Sequence, residues 1–359
     1  MAKSAIDVLS PTFQHTQKQL FTPFRFGQWV RLALLGLATG ELSTGGGCGN
    51  PFSFLQQSSV SPKSQHFAGA GELLRGLDPA LVGTLLVVLV GSGVVLMIVW
   101  IFMSSISRFM LFESVVKKNC DLKGGWQRWQ DQGWSYFWWQ MGLSVLGIGI
   151  ALVLFFPVIL SVLHSVRSNQ KPDFSVFLAV LPFFFLFAIF ALVMLLVQVL
   201  TKDFVVPQMA LERRGIFDSW SRLLSMMKDD VGGYAGYIGM KILLAMGAGI
   251  MFGIVSMMAT VVVMIPVGII GVVLFFVGKA VGLTFTLPVI LFSIALGLIA
   301  LAVLLYVIAL VCVPLAVFFP AYALYFFADR YPPLNAVLYP APPAPPIVPP
   351  LARSPQPIG

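Results

Sequence analysis

Charged residues are scarce in this 359-residue chain. Asp, Glu, Lys and Arg together make up 10% of it, whereas a soluble domain carries about 25%. So few polar groups cannot cover the surface of a water-soluble fold of this length. The shortage excludes a soluble enzyme, a nucleic-acid-binding module and an intrinsically disordered protein.

Histidine and cysteine are also rare, with three of each. They are scattered singly along the chain, without a CxxC pair or a neighbouring Cys/His pair that would suggest metal ligands. We therefore expect neither a metal ion nor a cofactor.

Apolar residues are correspondingly abundant. They make up 58% of the chain, including 31 Phe, and the mean hydropathy is +0.92. An α-helix needs about 20 consecutive apolar residues to cross a bilayer. Several runs of that length occur, which predicts an all-α integral membrane protein.

We predict a bundle of six spans, with about these limits: 27–43, 80–112, 136–163, 174–200, 237–264 and 287–313. An outer loop over 43–79 follows the first span. Because proline breaks or kinks a helix, Pro266 and Pro288 predict a hairpin or re-entrant segment over 266–286. Four short spans within 234–327 are the alternative.

The spans are flanked by segments of different composition. Residues 1–26 form a predicted amphipathic cytoplasmic segment, 27–330 the transmembrane domain, and the Pro-rich 331–359 a disordered cytoplasmic tail. Amphipathic stretches at 113–134 and 208–230 contain Trp, which favours the membrane–water boundary. We expect both stretches to be interfacial helices on the cytoplasmic side.

The distribution of basic residues sets the predicted orientation. The net charge is +8, and Lys and Arg accumulate in the cytoplasmic loops of membrane proteins. A span at 27–43 places four more basic residues on the cytoplasmic side than its absence would, namely Lys3, Lys18, Arg25 and Arg31. This favours six spans with both termini in the cytoplasm.

A short sequence repeat follows two of the apolar runs. Val206-Pro-Gln-Met-Ala-Leu211 resembles Phe319-Pro-Ala-Tyr-Ala-Leu324. We interpret the chain as two copies of a unit, an amphipathic segment, a span, a hairpin and a span, that begin near Phe109 and near Val205. Repeats of this kind occur in transporters and also in plain helical bundles.

Five basic residues are candidates for binding. The pairs Lys117-Lys118 and Arg213-Arg214 would contact lipid phosphates at the cytoplasmic face, although their role in orientation is explanation enough. Lys241 is the candidate for a functional residue within the membrane, and the alternative is a lysine that snorkels to the interface.

Small residues at helical spacing predict a packing face. Gly249 and Gly253 continue such a face after Lys241, and small residues let transmembrane helices approach closely. We therefore expect both glycines to lie against a neighbouring helix.

No catalytic residue is predicted. Of the 14 acidic residues, only Glu41 falls within a predicted span, and no histidine lies well inside one. Chemistry at neutral pH needs a positioned acid, base, nucleophile or metal ion. We therefore expect a protein that is not an enzyme.

Two stretches carry a resemblance to known families. The start, Ser10-Pro-Thr-Phe-Gln-His and Phe24-Arg-Phe-Gly-Gln-Trp-Val-Arg31, followed by Gly45-Gly-Gly-Cys48, resembles uncharacterised bacterial multi-pass membrane proteins with a domain of unknown function. Phe318-Phe-Pro-Ala-Tyr-Ala-Leu-Tyr325 is similar to the membrane portion of some glycerophosphodiester phosphodiesterases. The resemblance implies a helical bundle in the bacterial inner membrane; the phosphodiesterase activity does not carry over, because the sequence shows no such catalytic domain.

Two functions from different classes remain open. The first is a non-enzymatic scaffold, regulator or subunit of a membrane complex. The alternative is a transporter or lipid-handling protein with a site between the repeated span pairs, which would need a hydrophilic cavity reaching into the membrane. Expected partners are membrane lipids, in particular anionic ones, and another membrane protein or a second copy, but no nucleic acid.

Overall fold

The computed structural model describes residues 4–41, 79–167, 174–280, 282 and 287–340, and the regular elements in these residues are all helical. This agrees with the all-α prediction. Most of the predicted outer loop at 43–79 and the chain beyond residue 340 lie outside the described residues.

Eleven helices are described, and one of them continues into the next through a turn of π-helix at Thr201–Val205. They are α1 (Leu9–Phe21), α2 (Phe26–Thr39), α3 (Pro79–Lys117), α4 (Leu122–Arg167), α5 (Phe174–Leu200), α6 (Val206–Glu212), α7 (Ile216–Asp229), α8 (Val231–Ala280), α9 (Leu287–Val311), α10 (Val313–Ala328) and α11 (Pro332–Leu338).

Five helical stretches are long and apolar enough to cross a membrane. They are Val90–Lys117, Leu122–Leu160, Leu181–Glu212, Val231–Ala280 and Phe292–Ala328. The π turn joins α5 to α6 within the third stretch, and α9 is followed by α10 within the fifth.

The first predicted span, at 27–43, is not among these five stretches. Helix α2 occupies it but has 14 residues, which amounts to roughly 21 Å and is shorter than the ~30 Å hydrocarbon core. Gly40 ends α2 in the left-handed conformation, with φ of 71°. The helix described for this segment is therefore too short to cross the hydrocarbon core by itself.

The predicted hairpin after Pro266 is wrong over its described part. Helix α8 runs unbroken from Val231 to Ala280 with Pro266 inside it, which also excludes four short spans. Proline removes one backbone hydrogen bond, but an apolar environment offers no water to replace the others, so the helix continues. Residues 281 and 283–286 lie outside the described part.

The predicted interfacial helices and tail also need correction. The stretch 113–134 is not a separate helix, because it comprises the end of α3 and the first turns of α4, which continues into the apolar run. The stretch 208–230 is divided between α6 and α7. The tail begins with α11, where two prolines start the helix and Tyr331 and Leu334 are buried.

Buried side chains concentrate at one end of the long helices, which we call the base. The base comprises residues 4–41, 105–140, 200–241 and 304–340. The remaining apolar lengths of the helices are mostly exposed in the isolated chain, and we call them the shafts. They comprise residues 83–104, 141–163, 181–199, 242–280 and 292–303.

Helix α10 is the centre of the base. Twelve of its 16 residues are buried, as expected of a helix that is apolar all round. It contacts α1, α2, α3, α9, α11 and the π turn. The Tyr322 hydroxyl donates to the Ala5 carbonyl at 3.1 Å, which ties the N-terminal segment to α10.

Candidate functional site

Five charged side chains from distant parts of the chain meet where the shafts join the base. We call them the ionic cluster: Glu41, Arg108, Lys202, Asp203 and Lys241. Four of them lie within helices long and apolar enough to cross a membrane. Ionisable groups at such positions are costly and commonly mark functional sites.

Lys241 and Asp203 form one half of the cluster. The Lys241 ammonium lies 2.5 Å from Oδ2 of Asp203, and the same oxygen accepts a hydrogen bond of 2.9 Å from the Tyr237 hydroxyl. The donors are four residues apart in α8, so they share one face of the helix. Asp203 is 8% exposed, and the pair therefore joins α8 to the π turn inside the protein.

Glu41 is the centre of the other half. One of its oxygens lies 3.4 Å from Lys202 Nζ and 3.9 Å from Arg108 Nη1. Arg108 Nη2 donates to the Thr39 carbonyl at 3.1 Å, and its guanidinium lies 5.6 Å from the centre of the Tyr136 ring. The C-terminal end of α2 is thereby fixed to α3 and to the π turn.

The π turn explains how neighbouring residues serve both halves. Lys202 pairs with Glu41 while Asp203 pairs with Lys241. A π turn carries one extra residue per hydrogen-bonded turn, which changes the direction of side chains relative to a regular α-helix. Such turns occur frequently at functional sites.

A cavity of about 40 Å³ lies against the cluster. Four of the charged side chains line it, and Lys241 does not. The two repeated motifs converge here, because Val206 and Pro207 of the first and Phe319 and Pro320 of the second lie in the cavity wall. Pockets for organic ligands are about 300–1,000 Å³, so this cavity is far too small for one.

The predicted phosphate contacts lie at the surface of the base, outside the ionic cluster. Lys117 pairs with Glu113 at 2.5 Å, and Lys118 is exposed. Arg214 pairs with Glu212 at 2.6 Å, and Arg213 is exposed at the end of α6. The lysine pair lies at the C-terminal end of α3, and the arginine pair follows the C-terminal end of α6.

Lys241 is the one predicted site residue within the cluster, and both its functional role and the snorkelling interpretation stay predictions. Its ammonium is paired with Asp203. Gly249 and Gly253 lie further along α8, both half-buried, on the face that carries the buried Ser256. Their role in helix packing stays a prediction.

Arg108, Lys202 and Asp203 were not singled out as site residues in the sequence. The predicted boundaries put Lys202 and Asp203 in a cytoplasmic loop, whereas the helix continues through them to Glu212. Asp203 is consequently an acid within a stretch of membrane-spanning length, whereas Glu41 follows the shorter α2. The repeated Pro motifs were the sequence feature that could have pointed to this site, because residues of both copies line the cavity.

Two further groups of the base have pKa values set by their surroundings. A hydrogen bond from the Arg330 guanidinium, together with the Gly233 N–H, lowers the pKa of Asp230, which fixes the junction of α7 and α8 to the end of α10. Burial raises the pKa of the Cys120 thiol to about 11, so it is protonated at neutral pH and a poor nucleophile. Within the described ranges, no three His, Cys, Asp or Glu side chains are grouped to hold a metal ion.

Long apolar helices above a packed, charged base fit an all-α membrane protein. The chain belongs to the DUF7544 family, a family of unknown function whose model matches residues 3–337. The resemblance to a domain of unknown function is therefore confirmed, and nothing supports the one to glycerophosphodiester phosphodiesterases. No curated protein and no solved structure matches the chain.

Proposed function

We propose that this protein is a non-enzymatic scaffold or subunit of a membrane complex, crossing the cytoplasmic membrane several times. The observation that carries the proposal is the exposure of the shafts. In the most apolar windows of α4 and α8 no residue is buried within the chain, and in that of α5 only 6% are. Transmembrane helices associate through closely packed faces, and these shafts offer such faces to another protein.

The distribution of charge supports a cytoplasmic base. Among the described residues, every Lys and Arg except Arg167 and Lys279 lies in the base. By the positive-inside rule this end faces the cytoplasm. Residues 4 and 340 both belong to the base, so both described ends of the chain would be cytoplasmic.

The arrangement of reactive groups supports a role without catalysis. Each carboxylate of the ionic cluster is paired with a lysine. His15 is buried, with one ring nitrogen donating to the Val115 carbonyl at 3.0 Å and the other 3.1 Å from the Tyr325 hydroxyl. Both carboxylates and both ring nitrogens of His15 are thus engaged in contacts that hold helices of the base together.

A transporter is the second candidate, and the ionic cluster is the observation that favours it. Ion-coupled transporters place ionisable side chains within the membrane, often where repeats meet. The cavity of about 40 Å³ is too small for an organic substrate, which ranks this candidate below the scaffold.

Photo-crosslinking in native membranes tests the scaffold. A crosslinking amino acid is placed at Val153 or Met257, which are 74% and 71% exposed on the shafts, and at the fully buried Phe204 as a control. We expect a discrete protein adduct from the shaft positions and none from the control. Two differently tagged copies separate a homo-oligomer from another partner. Lipid adducts alone would contradict the scaffold.

Ion flux measurements test the transporter candidate. Proteoliposomes containing the purified protein are assayed for proton and anion flux, with Asp203→Asn as the matched variant. The scaffold predicts no flux above that of empty vesicles. Flux that Asp203→Asn abolishes would establish transport instead.

Thiol labelling tests the orientation. A membrane-impermeant reagent should label Lys123→Cys from the cytoplasmic side and Arg167→Cys from the opposite side, each measured above the wild-type background. Labelling of Lys123→Cys from outside the cell would contradict a cytoplasmic base.

A further inference from the structure

Gln198 is a polar side chain on the outer surface of a shaft. It is the one carboxamide among the described residues of the shafts, and it is exposed in the isolated chain. The hydroxyls of Ser144 and Thr260 donate to carbonyls of their own helices, each at 2.8 Å. The side chain of Gln198, in contrast, makes no hydrogen bond to any described residue. Its two amide donors and its carbonyl acceptor are therefore available to a group outside this chain.

The position of Gln198 along the helix makes this exposure costly. The third membrane-length stretch comprises 32 residues from Leu181 to Glu212, and any 18-residue window within it contains position 198. The most apolar window of the stretch therefore includes Gln198. Water is absent from the hydrocarbon core, and a polar group there without a hydrogen-bond partner costs free energy. A polar partner within the membrane is consequently favoured over lipid tails.

Gln198 ends a row of side chains along α5 that we call the α5 stripe. Its six residues are spaced alternately three and four positions apart, and all are exposed in the isolated chain: Leu181, Phe184, Ala188, Ala191, Leu195 and Gln198. This spacing places side chains along the seam between two helices that pack lengthwise. The two alanines in the middle let a second helix approach closely. Another side of α5 contacts α4, where the ring centroids of Phe187 and Phe155 are 4.9 Å apart.

We propose that the α5 stripe is an interface between two copies of this chain, related by a two-fold axis along the membrane normal. Two copies inserted in the same direction place identical residues at the same depth, so Gln198 of one copy faces Gln198 of the other. A carboxamide both donates and accepts, and each can therefore satisfy the other. Hydrogen bonds of this kind stabilise the association of transmembrane helices. The proposal rests on the proposed scaffold function, because it names a second copy as the partner of one shaft.

Disulfide crosslinking in native membranes tests the interface. Leu195→Cys places a thiol on the α5 stripe, and Val193→Cys places one on a different side of the same shaft. The two positions are matched in exposure, at 51% and 52%. Oxidation should give a covalent dimer from Leu195→Cys and only the wild-type background from Val193→Cys. Equal dimer yields from the two variants, or a dimer from neither, would overturn the proposal.

Replacement of Gln198 separates amide pairing from apolar packing. Gln198→Leu keeps an apolar stripe and removes the amide, so the dissociation constant of the dimer should rise about tenfold. Energy transfer between labelled copies in proteoliposomes, at increasing ratios of lipid to protein, measures it. Gln198→Asn keeps a carboxamide and should raise the constant less. Neither replacement removes a hydrogen bond within the described chain, so both variants should fold. A constant that Gln198→Leu leaves unchanged, or that both variants raise equally, would overturn the proposal.

The crosslinking results distinguish this interface from the scaffold function. Adducts of another protein at Val153 or Met257, with no dimer from Leu195→Cys, would overturn the two-copy interface and leave the scaffold standing. Lipid adducts alone at those positions, again with no dimer, would overturn both. A dimer from Leu195→Cys that Gln198→Leu weakens is the result that supports the interface.

Discussion

The base and the shafts are both rich in apolar side chains, yet they are organised in opposite ways. In the base, Phe204 is fully buried and packs against the rings of Tyr234, Tyr237, Phe326 and Phe327. In the shafts, side chains such as those of α8 are mostly exposed in the isolated chain. Lipid tails are as apolar as leucine, so burial against protein gains little there. Packing and ion pairs therefore hold the base, whereas the bilayer holds the shafts.

Helix α1 belongs to the base but exposes aromatic side chains, as the shafts do. Its buried face is polar, with Thr12, His15 and Gln19 directed into the base, while Phe13 and Phe21 are 65% and 55% exposed. This is the reverse of a helix on a water-soluble core. The arrangement suits a helix lying in the interface, with aromatic rings towards lipid and polar groups paired inside.

The largest difference between the two regions should appear on truncation of an aromatic ring. Phe204→Ala should lower the free energy of unfolding by about 3–5 kcal/mol, because it leaves a cavity among packed rings. Phe184→Ala, at a residue 59% exposed on a shaft, should change it by less than about 1 kcal/mol. Denaturation of both variants in the same detergent measures the difference. Equal losses would show that the shafts pack as tightly as the base.

The second largest effect should come from breaking the ionic cluster. Asp203→Asn leaves Lys241 without its counter-ion and should cost about 3 kcal/mol. The double variant Asp203→Asn with Lys241→Met removes both charges and should recover most of this loss. A double-mutant cycle on thermal stability measures the coupling. If the two losses simply add, the pair is not a stabilising contact.

The sequence was sufficient for the main helices, because length and hydropathy decide where a helix can cross a membrane. The apolar runs at 80–112, 136–163 and 174–200 all lie within α3, α4 and α5. Their ends were misplaced, because the helices continue into amphipathic residues that pack in the base. Pro266 misled for a related reason, since a proline that would end a soluble helix is tolerated within an apolar one.

The ionic cluster could not be predicted, because it depends on pairing between distant segments. Glu41 meets Lys202, and Asp203 meets Lys241 across 38 positions of the chain. Local sequence identifies each as a charge near the end of an apolar run, which is also where orienting charges occur. The π turn that directs Lys202 and Asp203 to different partners is not marked by a Pro or Gly residue within it.

A smaller effect should distinguish the packed face of α8 from its open face. Gly249→Leu and Gly253→Leu should each lower stability by about 1–3 kcal/mol if these half-buried glycines lie against a neighbouring helix. Gly247→Leu is the matched control, because no atom of a neighbouring helix lies within 4 Å of the position that its Cβ would occupy. Thermal stability in detergent measures all three. A loss in Gly247→Leu equal to the others would mean that packing against a neighbouring helix is not the cause of the loss.

The smallest effect should be a pH dependence that belongs to the base alone. Burial, assisted by the charge of Lys118, lowers the pKa of His15 below its ordinary value of 6.5. The unfolded chain therefore takes up the proton at a higher pH than the folded protein. The contribution of His15 to the free energy of unfolding is fully present above about pH 6.5. It declines as the pH falls towards the lower pKa of His15 in the folded protein.

Comparison of wild type with His15→Gln isolates this contribution. Glutamine keeps a donor for the Val115 carbonyl, which His15 contacts at 3.0 Å, but it does not titrate. Wild type should lose about 1–2 °C more in Tm than the variant between pH 7 and pH 5.5. The described residues of the shafts include no histidine, aspartate or glutamate, so we expect the difference to come from the base. An equal change in both proteins would place the acid sensitivity at another group of the base.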